Sequence, residues 1–223
     1  ATGFGEKGGR DPVMYRLLRK VGRFVFQVAY GFEVTGLEQV PAEGGCILAA
    51  NHSSKLDPPL LYFIFPRLVH FMAKKELFRW FPLGWIITKL GAFPVDRGAA
   101  DRGAIRRAQE ILSGGGVVGV FPEGTTRGVG LRPFHNGAAL LALKTGSPVV
   151  PVAINWCSKR PFRGSSVRIA GGKPIRVPGK KERVAKHELV ELTREIRDSI
   201  AQMLEEGERE GFTVVTTNYK CGG

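Results

Sequence analysis

Cys46-Ile47-Leu48-Ala49-Ala50-Asn51-His52-Ser53-Ser54-Lys55-Leu56-Asp57-Pro58-Pro59 is the stretch from which the rest of the chain can be read. Cys46–Ala50 is an apolar run of strand length that ends in polar loop residues. Pro58 stands at a first helical position, where the amide hydrogen it lacks would have had no intrahelical partner anyway. The pattern predicts a strand, a tight loop and a helix over Pro58–Phe65, with His52 at the strand's carboxyl end and Asp57 at the helix N-cap.

The same alternation continues on both sides. Further strands are predicted at Phe32–Thr35, Val69–Ala73, Ala92–Val95, Val117–Phe121, Val149–Asn155 and Val167–Ala170. Helices are predicted at Glu76–Leu90, Ala99–Leu112 and Phe134–Thr145, with Gly114 and Gly146 where C-caps belong. Residues 184–204 carry Leu189, Leu192, Ile196, Ile200 and Met203 at helical spacing, a surface helix with one buried stripe. Short strands alternating with helices define an α/β class, here a single mixed sheet flanked by helices, with function at the strands' carboxyl ends.

Residues 13–32 read as a helix of a different kind. Arg16, Arg19, Lys20 and Arg23 sit among Leu17, Leu18, Val21, Phe24, Val25 and Val28, which suits a basic amphipathic helix lying in a membrane interface or, alternatively, a helix packed on the domain with its cations in water. The domain reading is a basic leader and interfacial helix over 1–31, one globular domain over 32–212 and an unassigned tail over 213–223. No apolar run reaches bilayer-spanning length, and no secretory signal pattern is present.

With 33 Lys and Arg against 20 Asp and Glu, the chain carries a net charge of +13, which calls for a polyanionic partner. Residues 159–183 alone hold nine cations against Glu182. The three cysteines, Cys46, Cys157 and Cys221, match neither a disulfide framework nor a zinc site, so three free thiols in a reducing cytosol and no bound metal are expected. Two Gly-x-Gly-x-x-Gly matches, beginning at Gly3 and Gly114, do not join a strand to a helix and argue no dinucleotide site.

Chemistry concentrates in three strand-end segments. A turn after the first can bring Asp57 to one imidazole nitrogen of His52, leaving the other to accept a proton, an arrangement suited to a general base acting on an alcohol. Taken alone, His-x4-Asp is more often a helix cap beside a polar loop residue. The second segment, Phe121-Pro122-Glu123-Gly124-Thr125-Thr126-Arg127, can present backbone donors, a hydroxyl and a guanidinium to a phosphate head. The third, Gly91-Ala92-Phe93-Pro94-Val95-Asp96-Arg97, again ends on an arginine, and two such arginines point to one anionic ligand or to surface ion pairs.

Together with Val150-Pro151-Val152-Ala153-Ile154, these blocks resemble, in order, those of the glycerolipid acyltransferase family, and within it the 1-acylglycerol-3-phosphate (lysophosphatidate) O-acyltransferases. The likeness covers roughly residues 32–176. It implies that His52 is the catalytic base and Asp57 its orienting partner. Arg97, Glu123, Gly124, Thr125 and Arg127 would bind substrate, and amides near Glu123–Thr125 would face the oxyanion. It further implies an acyl thioester, acyl-CoA or acyl carrier protein, as co-substrate with no cofactor, a lysophospholipid acceptor, and phosphatidic acid as product. The implied location is peripheral or monotopic on the cytoplasmic face of an anionic membrane.

Two departures bear on the acceptor: Thr126 separates Thr125 from Arg127, where the family runs Glu-Gly-Thr-Arg, and His135 stands where relatives often carry lysine. A neutral imidazole is a weaker phosphate ligand near pH 7. The same chemistry on another lysolipid or on glycerol phosphate is therefore an alternative. So is a non-catalytic basic module that binds membrane or nucleic acid. Nucleic acid is not expected as a partner, because most aromatics sit in apolar runs rather than among the cations. No Gly-x-Ser-x-Gly elbow supplies a serine nucleophile.

Overall fold

The computed structural model describes residues 13–96, 101–126, 130–157 and 166–211. Among these residues, seven strands form one sheet: β1 (Phe32–Thr35), β2 (Cys46–Ala50), β3 (Val69–Lys74), β4 (Phe93–Val95), β5 (Val117–Val120), β6 (Val149–Trp156) and β7 (Val167–Gly171). Their spatial order is β1-β7-β6-β2-β5-β3-β4, and only the β6/β7 pair is antiparallel. The expected mixed sheet is therefore present, and β2 lies at its centre between β5 and β6. A central parallel strand is covered on both faces. Accordingly, all five residues of β2 are buried, which is why Cys46–Ala50 shows no polar alternation.

The helices are α1 (Val13–Tyr30), α2 (Asp57–Ile64), α3 (Leu83–Lys89), α4 (Arg102–Ser113), α5 (Gly137–Thr145) and α6 (Lys186–Arg209). Side chains alternate across the sheet with period two. Ile47, Ala49, Val149 and Ala153 join Ala108 of α4, Ala139 of α5 and Ile196 and Ile200 of α6 in one core. Leu48, Ala50, Val150, Val152, Ile154 and Trp156 join Leu60 and Leu61 of α2 and Phe65 just past its end in the other, with Phe26 and Tyr30 of α1 against it.

Several expectations are corrected. The single helix expected over Glu76–Leu90 is two pieces, a 3-10 helix at Lys75–Arg79 and then α3. Pro82 accounts for the break, because it has no amide hydrogen to donate and disfavours helical geometry at Phe81. Asp57 is the first residue of α2 rather than its N-cap, which is Leu56. Arg168 is buried and ion-paired with Glu210, so it does not belong to a basic surface. Cys157 is disulfide-bonded, which overturns its reading as a free thiol. Cys46 is free, and burial pushes its thiol up to about 11, so it packs as an inert apolar group.

Within β5, Gly119 is set by space: a Cβ there would stand 2.3 Å from the Phe71 ring. Phe71 in turn stacks on Phe121 at 5.5 Å and 15°. Gly119→Ala is expected to lower the unfolding free energy by about 1–3 kcal/mol through overpacking, read as a lower urea midpoint at unchanged m-value.

Candidate active site

Three adjacent strands deliver the site. Parallel pairing of β2 with β5 and with β6 brings their carboxyl ends to one side, and β6 runs past β2, since Ala50 pairs with Val152 and β6 ends at Trp156. Asn51 closes the gap after β2. Its side-chain amide donates to the Ile154 carbonyl at 3.0 Å and its oxygen accepts from the Ile154 N–H at 2.7 Å, as a further strand residue would. His52 follows and is itself nearly buried.

The structure brings His52 and Asp57 together, with Nδ1 of the imidazole 3.0 Å from Asp57 Oδ2. The same oxygen accepts from the Ser53 N–H at 2.8 Å and the Ser54 N–H at 2.7 Å, so Asp57 folds the 52–54 loop back around itself. Oδ1 accepts from the Trp156 indole N–H at 2.8 Å. Asp57 is 0% exposed, and these four donors supply what water would have supplied to a carboxylate. With Nδ1 donating to Asp57, Nε2 is the basic nitrogen. The ring's orientation is also held from its face, by Phe121 stacked at 4.1 Å and 22°.

A second buried carboxylate holds His52 by its backbone. Glu123 Oε1 accepts from the His52 N–H at 2.7 Å, and Oε2 accepts from Arg132 Nε at 3.0 Å. The Arg132 guanidinium also donates to the Thr125 carbonyl, which pins the 123–125 turn. Glu123, a residue expected to meet substrate, thus has both oxygens engaged within the protein. Gly124 carries φ +67, and a Cβ there would lie 3.3 Å from the exposed His135 ring, so this turn requires glycine. Thr125 lies on the same turn. Arg97 and Arg127 lie outside the described residues. Among those that are described, no group of three or more His, Cys, Asp and Glu side chains converges as a metal site would.

Trp156, Phe121 and Arg132 were missed as site residues. Phe121 belongs to the Phe121–Arg127 segment, yet nothing in the sequence shows its ring against His52. Trp156 is 99 positions from Asp57, and no local spacing encodes that bond.

This geometry holds an imidazole, oriented by a buried carboxylate, at the end of a central parallel strand, an arrangement suited to taking a proton from an alcohol. The acyltransferase family model matches residues 31–155, and the chain belongs to that family. The chain is 30% identical to the 1-acyl-sn-glycerol-3-phosphate acyltransferase of Bacillus subtilis, over 85% of this chain and 96% of the relative. The enzyme of the same name from Borreliella burgdorferi is 31% identical over 77% of this chain and 71% of its own. Among solved structures, the 1-acyl-sn-glycerophosphate (LPA) acyltransferase PlsC of Thermotoga maritima superposes with a TM-score of 0.67 at 26% identity, covering 87% of this chain and 79% of that one.

Two outcomes test the site's wiring. Trp156→Phe keeps a buried ring but removes the donor to Asp57 Oδ1; with a hydrogen bond to a charged group worth about 1.5–3 kcal/mol, kcat is expected to fall about tenfold or more at unchanged KM in steady-state assays. Arg132→Leu leaves Glu123 buried without its counter-charge; stability is expected to drop by about 3 kcal/mol, measured by urea unfolding.

Proposed function

We propose that this chain transfers a fatty acyl group from a thioester to the free hydroxyl of 1-acylglycerol-3-phosphate, giving phosphatidic acid. The observation that carries the proposal is the His52–Asp57 pair, with Asp57 wholly buried and held by four donors, in a chain of the acyltransferase family. The names of the relatives supply the acceptor.

In the proposed step, Nε2 of His52 takes the proton of the acceptor hydroxyl as its oxygen attacks the thioester carbonyl carbon. The tetrahedral intermediate collapses with cleavage of the carbon–sulfur bond, and the imidazolium returns its proton to the departing thiolate. Asp57 stabilises the imidazolium between these two transfers, and its fixed position spares the reorganisation a mobile carboxylate would need. Glu123 and Arg132 act as positioning residues, holding the His52 backbone and the 123–125 turn. Arg97 and Arg127 are assigned the acceptor phosphate on the family resemblance, with Gly124 and Thr125 beside it. The thioester is assigned to acyl-CoA or acyl carrier protein.

Work at an anionic membrane surface is part of the same reading. On α1, Leu17, Leu18, Val21, Phe24, Val25 and Val28 are exposed, while Ala29, Phe26 and Tyr30 face the domain. A helix that buries one apolar face and shows another has the pattern of an interfacial helix. Arg19 does not serve the lipid side, since it donates to the Phe65 and Pro66 carbonyls past the end of α2. Among the described residues, no helix is long and apolar enough to cross a membrane.

An acyl-transfer assay with lysophosphatidate and a labelled acyl thioester in detergent micelles tests the function. The native chain is expected to form phosphatidic acid, with His52→Ala slower by about 10²–10⁴-fold, the usual worth of a general base. Equal rates in both would remove His52 from the mechanism, and transfer only to a different lysolipid would move the assignment of acceptor.

A further inference from the structure

A second apolar surface lies on the segment between β3 and β4. Trp80 is 70% exposed, Phe81 87% and Trp85 59%, and Leu83 and Ile86 beside them are exposed as well. Single exposed hydrophobics are ordinary, but five within seven residues, three of them aromatic, form a patch that water solvates poorly. Phe78, Arg79, Phe81, Gly84, Trp85 and Thr88 line an open pocket of about 360 Å³ there, so the patch does not fill itself. Lys74, Lys75 and Arg79 are exposed along the same segment, with Glu76 the acid among them.

Position gives the patch its meaning. The segment leaves β3 at its carboxyl end, and β3 is parallel to β5 and β5 to β2, so it emerges at the end of the sheet that carries His52. We propose that residues 74–88 form a second lipid contact, separate from α1, which seats the active-site end of the sheet against an anionic leaflet. The proposal rests on the reading of the chain as an enzyme that meets its acceptor at a membrane. Trp and Phe rings take up the headgroup boundary, while lysine and arginine beside them pair with anionic lipid. A second copy of the chain fits less well: a two-fold contact sets the same residues against each other, bringing three cations from each side together against one acid each.

The tryptophans make the test direct. The chain has three, Trp80, Trp85 and Trp156, and the last is 1% exposed. The full chain is mixed with vesicles of equal parts phosphatidylcholine and phosphatidylglycerol carrying brominated acyl chains, and tryptophan emission and sedimentation are read together. The expected result is co-sedimentation with a blue shift and loss of the larger part of the emission. Co-sedimentation without quenching would show that α1 alone seats the protein and would overturn the proposal. Absence of co-sedimentation would overturn the membrane reading beneath it as well. If acidic acyl carrier protein shifts the emission and vesicles do not, the surface belongs to a protein partner and the proposal fails. Phe81→Ser with Ile86→Ser retains both fluorophores; vesicle affinity is expected to fall about tenfold or more, with turnover of a short-chain, monomerically dissolved acceptor unchanged. Unaltered affinity in that variant would likewise overturn the proposal.

Discussion

An ionised carboxylate inside a protein is tolerated only when its oxygens are satisfied, because the desolvation penalty of a bare one amounts to several kcal/mol. Asp57 meets that condition with four N–H donors from three sources: the His52 ring, the loop amides of Ser53 and Ser54, and the indole of Trp156. The loop closes around this carboxylate, so Asp57 shapes the polypeptide that carries the proposed base and orients its ring as well. Folding and the proposed chemistry share one buried carboxylate here. An amide in its place would offer one acceptor oxygen where two are used, and would set an NH2 group against donors.

Glu123 repeats the device from the neighbouring strand. It reaches from the end of β5 to the backbone of the residue after Asn51, and Arg132 neutralises it from the far side of the turn. His52 is thereby held at three points, with Nδ1 on Asp57, the backbone N–H on Glu123 and the ring face on Phe121. Two buried acids, one opening α2 and one just past β5, make the register of β2 against β5 part of the geometry of the proposed site. Overpacking at Gly119 would therefore bear on the site through Phe71 and Phe121.

Local signals carried much of this to the surface of the sequence. The seven strands were legible to within about one residue, because buried parallel strands read as apolar runs. His52 and Asp57 could be paired because they lie five positions apart across a turn. Pro82 was a local signal as well, and the helix expected over Glu76–Leu90 ran through it. The partners that fix the site were not legible. Trp156 reaches Asp57 across 99 positions, and Glu123 reaches His52 across 71. Such bonds follow from the order of strands in the sheet, which composition and spacing do not encode. Arg168 misled for the same reason: within its own segment it is one cation among many, and only the packing of α6 on β6 and β7 reveals its partner Glu210.

The placement of α1 follows from the same core. Gly22 lets it approach α2, since a Cβ there would stand 2.3 Å from the Phe63 ring, and Tyr30 at its end meets Trp156 edge-on at 5.4 Å and 85°. The ring that closes α1 onto the domain is thus the ring whose N–H holds Asp57. An amphipathic helix packed this way has its outward face fixed relative to the His52–Asp57 pair by side-chain contact rather than by a linker. For an enzyme whose acceptor lies in a leaflet, that matters: a reacting oxygen must come within about 3–3.5 Å of its partner atom, and a base tethered loosely to its membrane element would lose that alignment with every excursion of the tether. Rigid seating of α1 on the Trp156 side of the sheet is therefore what the proposed interfacial chemistry requires of this fold.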